Sequence, residues 1–163
     1  MGIDLKNWMQ NLPDGSDLLA LNLCGTHDCV TQHIRLPHFF CCQDLTVYEQ
    51  LLLGVRALDI RVRADGKCLT MVHGIFPAYN HSCHRANLMD MGDVLSQCYR
   101  FLDECPGEAV VFQFKNDNGK ENEQCFDNLF YTYIKGKEPY WYLEDQVPTL
   151  GAARGLSLIH ISE

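Results

Sequence analysis

Long apolar runs are missing from this sequence. No stretch approaches the ~20 consecutive apolar residues of a membrane-spanning helix. Basic residues are few: 13 Lys and Arg stand against 21 Asp and Glu in 163 residues, a formal net charge of −8. That balance excludes a nucleic-acid binder and a protein drawn generally to anionic membranes, because both rely on clustered cations. It leaves room for a local basic site in a cleft. The opening segment, MGIDLKNWMQNLPDG, has no basic stretch followed by an apolar one, so no signal peptide is expected. Met1-Gly2 lacks the Ser or Thr that myristoylation wants at position six, which is Lys6. As written the chain reads as cytoplasmic, with secretion the reading if the true N-terminus differs. Internal repeats and low-complexity tracts are absent. So is any Cys-x-x-Cys pair, the usual mark of zinc ribbons and redox motifs. The nine cysteines are therefore expected to be reduced and mostly buried, acting as small hydrophobes.

What is present is a core-forming chain. Hydrophobic residues make up 47% and charged residues 21%, which suits one soluble domain of ordinary size. Short apolar runs alternate between two periods. Strands are expected at Leu19 to Leu23, Val55 to Val62, Leu69 to Val72 and Ala109 to Phe114, the last a continuous run suited to burial on both faces. Helices are expected at Thr46 to Leu53 with Gly54 as the stop, at Met89 to Leu102 with Asp90 or Asp93 near its start, and at Asn122 to Ile134. Asp65-Gly66 signals a turn. Strands alternating with helices favour a parallel β/α sheet or barrel, in which chemistry gathers at the C-terminal ends of strands.

Those ends carry His27 and Asp28, Asp59 and Arg61, His73, and Lys115 with Asn116 and Asp117. Two histidines can serve as general base and general acid. Asp28 can hold one imidazole in its tautomer. Arg61 can grip a phosphate with its planar fork, and Lys115 adds a point charge. Together they are what metal-independent phosphodiester cleavage needs. Taken singly, His27 reads equally as a hydrogen-bonded structural histidine, and Arg61 as an ion-pair partner of Asp59.

The residues that carry a resemblance are Leu23-Cys24-Gly25-Thr26-His27-Asp28, Gln43-Asp44, Glu49-Gln50-Leu51, Gly54-Val55-Arg56-Ala57-Leu58-Asp59-Ile60-Arg61 and Val72-His73-Gly74. In order and spacing they resemble the X region of phosphatidylinositol-specific phospholipase C. Cys105-Pro106-Gly107-Glu108, Tyr140-Trp141-Tyr142-Leu143, Val147-Pro148-Thr149-Leu150-Gly151 and Arg154-Gly155 extend the likeness to bacterial-type members, over residues 7–155. The resemblance implies a TIM-type (β/α) barrel, of which this chain would hold only the N-terminal half or so, since the full barrel takes roughly 250 residues. It implies His27 as the general base that takes the proton of the inositol 2-hydroxyl, and His73 as the general acid that protonates the diacylglycerol oxygen. Asp28 would pair with His73, and Arg61 would act on the phosphate. Lys115 and Asp59 would contact substrate. The products would be diacylglycerol and a cyclic inositol phosphate. The partner would be phosphatidylinositol or a related inositol lipid at a membrane surface, met by a monomer.

The resemblance also bears on metal. Calcium-dependent members carry acids where this chain has Arg61 and Lys115, and calcium needs several oxygen ligands. No metal and no cofactor are expected. Cys24 and Cys29 replace the family's usual Pro and Ser or Thr, and Cys29 beside the site acid is either oxidation-sensitive or inert. His81, Cys83 and His84 form a dense cluster that reads as a substrate-facing loop rather than a structural zinc pair, with Phe76 and Tyr79 as candidate lipid or inositol contacts. Tyr140 and Trp141 are either interfacial anchors or core aromatics. The last residues, 156–163, are expected to be a non-native or truncated tail, the alternative being a strand through Leu156-Ser157-Leu158-Ile159-His160-Ile161. The late acid that orients the general-base histidine in bacterial members has no counterpart after Arg154. A catalytically incomplete phosphoinositide-binding fragment and a glycerophosphodiester phosphodiesterase-like enzyme are the competing readings. The second uses a metal held by a Glu-x-Asp pair, which Asp59-Ile60-Arg61 does not provide.

Overall fold

The computed structural model describes residues 2, 4–64, 67–117 and 123–161. Its frame is a mixed sheet built on an eight-residue strand with strict alternation. In β2 (Ala57–Ala64), Leu58, Ile60, Val62 and Ala64 are buried, while Ala57, Asp59, Arg61 and Arg63 are only partly so. The two-residue period therefore sends the aliphatic side chains to one face and puts Asp59 and Arg61 together on the other. Parallel to β2 run β1 (Gly25–Thr26) on one side and β5 (Val110–Asn116) on the other. The register sets Asp59 beside Gln113 and Arg61 beside Lys115. Beyond β5 lies β6 (Ser157–Ile161), also parallel.

Most of the helices cover the aliphatic face. α1 (Pro37–Phe40) is a single turn after the first loop, and α2 (Val47–Leu52) opens on a capping box between Thr46 and Glu49. Gly54 follows at φ +97°, a conformation that costs glycine least, so the expected stop is where the helix ends. α3 (Met91–Glu104) has its own capping box, Asp90 with Asp93. It buries Val94, Leu95, Cys98, Phe101 and Leu102 against the sheet, the i, i+3, i+4 stripe of an amphipathic helix. α4 (Glu123–Ile134) and α5 (Leu150–Ala153) complete the set. None of the described helices is long and apolar enough to cross a membrane.

Three expectations need correction. Leu19 to Leu23 is not a strand: the Asp17 carboxylate accepts from Leu19 N at 3.0 Å and starts a 3₁₀ turn over Leu18–Ala20 instead. The sheet is not all parallel: β3 (Leu69–His73) runs antiparallel to β2, and β4 (Phe76–Pro77) antiparallel to β3. The link between β2 and β3 is far shorter than the dozen or so residues a parallel crossover takes. Asp65-Gly66, the turn signal in that link, lies outside the described residues, as does Asn122 at the expected helix start. Strand β5 is not buried on both faces. Val110, Phe112 and Phe114 are buried, but Val111 and Gln113 face an open cavity of about 780 Å³ and Lys115 is exposed. Leu21, Leu23, Val111, Tyr142, Val147 and Leu158 line its apolar part, and His27 and Asp59 its polar end. This is the concave side of a partial barrel. The segment 157–161 forms β6 through its pairing with β5. Residues 162–163 lie outside the description.

Below the sheet, the N-terminal ends of β2 and β5 are tied by a buried ion pair. Arg56 Nε and Nη2 donate to Glu108 Oε2 at 2.9 and 2.7 Å, and neither side chain is exposed. Arg56 also donates to the carbonyls of Leu51, Val55 and Lys6. Glu108 accepts from the backbone of Met9 and Gln10. The cluster fastens the N-terminal segment beneath the strands, with every charge matched.

Candidate active site

The site is assembled at the opposite, C-terminal ends of the same strands. His27 and Asp28 follow β1. Asp28 has φ +45°, a left-handed conformation that Asp tolerates better than most residues. The turn is held from several sides. Gln50 Nε2 in α2 donates to Cys29 O (2.7 Å) and Leu45 O (2.8 Å), and its Oε1 accepts from Thr26 Oγ1 at 2.7 Å. Gln43 Nε2 donates to His27 O at 3.0 Å. The buried Thr31 hydroxyl donates to Asp28 O (3.0 Å) and accepts from the backbone of Cys42 (2.8 Å) and Gln43 (3.2 Å). These bonds fix both faces of the His27-Asp28 dipeptide, so its side chains are aimed by the scaffold.

Asp28 is the centre of the cluster. Its Oδ2 lies 3.3 Å from His27 Nε2 and 3.5 Å from His73 Nδ1, and its Oδ1 3.5 Å from Arg61 Nε. The side chain is fully buried, yet among the described residues no donor reaches either oxygen in hydrogen-bonding geometry. Burial pushes its carboxyl above the ordinary carboxylate value. The charges of His73, Arg61 and His27 oppose that rise, and the Asp59 carboxylate adds to it.

His27 Nδ1 stands 2.8 Å from Asp59 Oδ2. With the proton on Nδ1 donated to that carboxylate, the lone pair of Nε2 is free to accept another. Asp59 also accepts from Asp28 N at 3.2 Å and Arg61 Nε at 3.3 Å. His73 ends β3, and its Nδ1 lies 3.0 Å from Phe40 O, which leaves Nε2 pointing away. The two imidazole rings are 6.2 Å apart, edge to face. Arg61 is partly buried beside Asp28, Asp59 and Asp117. Desolvation works against its charge, but Asp28, Asp59 and Asp117 outweigh it and hold its pKa above the ordinary value. Lys115 is its neighbour in register and is half-exposed. Asp117 separates the two cations, 3.5 Å from each. It is set there by its backbone N–H, which donates to Val62 O at 2.7 Å.

All six expected site residues, His27, Asp28, Asp59, Arg61, His73 and Lys115, thus fall at one end of the sheet. Three further residues join them. Asp117 was visible as an acid at a strand end. Thr31 and Cys42 carried no signal in the sequence, because their place depends on how the loop between β1 and α2 folds back. The remaining expectations divide. Cys29 is fully buried and its thiol pKa is raised well above the ordinary value by that burial, so the inert reading holds. Tyr79 is buried, which removes it as a lipid contact, whereas Phe76 packs on Phe40 at 4.4 Å beside His73. Trp141 is core, its Nε1 donating to Tyr99 Oη at 2.9 Å. His81, Cys83 and His84 do not converge as a metal set among the described residues. His84 instead caps the 3₁₀ turn Arg85–Asn87 through Ala86 N.

No family model matches the chain. Relatives and solved structures do. The chain is similar to bacterial phosphatidylinositol-specific phospholipase C. It is 26% identical over 168 residues to a 1-phosphatidylinositol phosphodiesterase of Listeria monocytogenes, covering 96% of this chain and 49% of that protein. It is 27% identical over 159 residues to one from Staphylococcus aureus, covering 92% and 48%. The solved phosphatidylinositol-specific phospholipase C of L. monocytogenes superimposes with a TM-score of 0.79 at 25% identity, over 99% of this chain and 58% of that one. A variant of the S. aureus phosphatidylinositol-specific phospholipase C gives 0.82 at 26%, over 97% and 52%. The chain spans about half the length of the curated relatives it matches. The resemblance carried by the motifs is borne out, and the partial barrel of the expected fold class with it.

Proposed function

We propose that the chain carries the acid–base machinery of a phosphatidylinositol phosphodiesterase that works without a metal. His27 Nε2 takes the proton of the inositol 2-hydroxyl, whose oxygen attacks phosphorus. Asp59 holds the tautomer that leaves this nitrogen unprotonated and balances the charge as it forms. His73, kept beside Asp28, gives a proton to the diacylglycerol oxygen as the P–O bond breaks. Arg61 and Lys115 face the phosphate and stabilise the charge that builds on it. The ring formed by attack of the 2-hydroxyl is a cyclic inositol phosphate, and the other product is diacylglycerol. The substrate is phosphatidylinositol or a related inositol lipid, met at a membrane surface by a monomer that takes no nucleic acid.

The single observation that carries this reading is the placement of two imidazoles 6.2 Å apart on either side of a buried carboxylate–guanidinium contact. Likeness to proteins named for this activity supports it. The cation at Arg61 stands where a catalytic metal would otherwise be asked to neutralise phosphate charge, so no metal is given a step. The test is release of cyclic inositol phosphate from phosphatidylinositol vesicles with EDTA present, by the 163-residue chain and by any longer reading frame that contains it. EDTA-resistant release is expected. Inhibition by EDTA that calcium reverses contradicts the metal-free mechanism, and no release by either form contradicts the activity.

A further inference from the structure

One side chain at the mouth of the site has no part in that chemistry. The exposed thiol of Cys42 lies 3.8 Å from His73 Nδ1. Among the described residues, His27, Asp28 and Cys42 bring one donor atom each within 4.8 Å of one another. Zinc bonds of about 2.0–2.3 Å to N, O and S make the edges of a tetrahedron about 3.3–3.6 Å long. The His27 Nε2 to Asp28 Oδ2 edge already measures 3.3 Å. The exposed thiol has to close by about 1 Å, within reach of a rotation about its χ1 bond.

Two independent features point the same way. Asp28 is wholly buried and, among the described residues, both its oxygens lack a hydrogen-bond donor, although one faces His27 and His73. A buried carboxylate in that state is an acceptor without its partner. His27 in turn has its Nδ1 2.8 Å from the Asp59 carboxylate. A carboxylate behind the far ring nitrogen is the usual support of a metal-binding histidine.

We propose that His27 Nε2, Asp28 and the Cys42 thiolate form a three-ligand site for a thiophilic divalent cation of the zinc class, with water in the fourth position, and that its occupation switches the chain off. On binding, the Cys42 S–H proton leaves to solvent, a metal–sulfur bond forms, and the His27 lone pair is donated to the metal. That lone pair can no longer accept a substrate proton. The inhibition rests on the role given to His27 above, whereas the binding does not. A thiolate and an imidazole select zinc over calcium, which wants six or more oxygens.

The test uses cobalt(II) as a visible stand-in, titrated into the reduced chain. Expected are d–d bands of tetrahedral intensity and a near-ultraviolet thiolate-to-cobalt band, both removed by added zinc. Cys42→Ser should abolish the thiolate band, and Asp28→Asn should weaken binding by about tenfold or more. Cys83→Ser should change nothing. On the unmodified chain, zinc should protect Cys42 from iodoacetamide while the exposed Cys24 and Cys83 go on reacting, which needs no variant to fold. A thiolate band that survives in Cys42→Ser, its loss in Cys83→Ser, or alkylation of Cys42 at an unchanged rate under saturating zinc overturns the proposal. None of these readouts needs turnover, so failure of the phosphodiesterase reading leaves them intact. With turnover, zinc should inhibit the unmodified chain reversibly, and EDTA should restore it.

Discussion

The two ends of strands β2 and β5 use the same residue types to opposite effect. At the N-terminal end, Arg56 and Glu108 are buried and fully bonded, with contacts of 2.7 and 2.9 Å and every remaining polar atom given a backbone partner. At the C-terminal end, Arg61 meets Asp28, Asp59 and Asp117 only at 3.3–3.5 Å, and Asp28 keeps two buried oxygens without a donor. One end spends its charges on itself. The other leaves the Asp28 carboxylate unsatisfied among the described residues, and an unsatisfied group is available to a substrate. Catalytic ends of β/α barrels differ from stabilising ends in this way, and the cost of an under-bonded buried carboxylate is tolerated where function uses it.

The comparison is broken most severely by removing an imidazole. His27→Ala and His73→Ala should each lower the rate of cyclic phosphate release by about 10²–10⁴-fold while leaving the melting temperature close to that of the unmodified chain. At the other end the effect should invert. Glu108→Ala strands the Arg56 guanidinium in the core and should cost about 3–5 kcal/mol in denaturant unfolding. Any molecules that remain folded should keep their site geometry. If Glu108→Ala unfolds as readily as the unmodified chain, the closed end is not what holds the strands. Arg61→Lys keeps the charge but loses the planar fork, and should slow cleavage by about 10–100-fold with little effect on melting.

The smallest effect is expected at an exposed cluster away from both ends. Glu104 accepts from Tyr48 Oη, Lys6 Nζ and Arg100 Nε, which push its carboxyl down to about 2 from the ordinary 4.5. A carboxyl lowered by folding adds stability above its unfolded value. That stability is lost as pH falls from 4.5 toward 2. Glu104→Gln should therefore lower the melting temperature slightly at neutral pH and not at all near pH 2, as a pair of thermal scans would show.

Much of this division was legible in the residues. Alternation in Val55 to Val62 already put Asp59 and Arg61 on one face, and the strand-end rule gathered His27, His73 and Lys115 with them. Asp59 was expected to touch substrate, and the structure also sets its carboxylate 2.8 Å from His27 Nδ1. In the proposed mechanism this carboxylate does the orienting for which no acid after Arg154 was available. That pairing was hidden because it depends on the register of β1 against β2, which spacing alone does not give. Cys42 and Thr31 were hidden for a similar reason, since an irregular loop carries no period to read. The β2–β3 hairpin was missed although Asp65-Gly66 announced it: the alternation of strands and helices elsewhere outweighed a local turn signal. Leu19 to Leu23 failed because a side-chain cap at Asp17 competes with extended backbone, and that competition is decided by one hydrogen bond.

Asp28→Asn tests the contrast between the two ends at a single atom. Folding raises the Asp28 carboxyl above its ordinary 3.8, so the folded state favours the neutral form. Its contribution to stability is complete below pH 3.8 and is lost as pH rises through the folded value. Asparagine keeps the neutral form at every pH and tolerates the left-handed backbone. Thermal melting and vesicle cleavage, measured on the same sample at pH 7, should therefore show a higher melting temperature together with a slower reaction, the thermal gain vanishing below pH 3.8. A lower melting temperature at pH 7, or an undiminished rate, would contradict the claim that this end of the sheet gives up stability to keep its charges free.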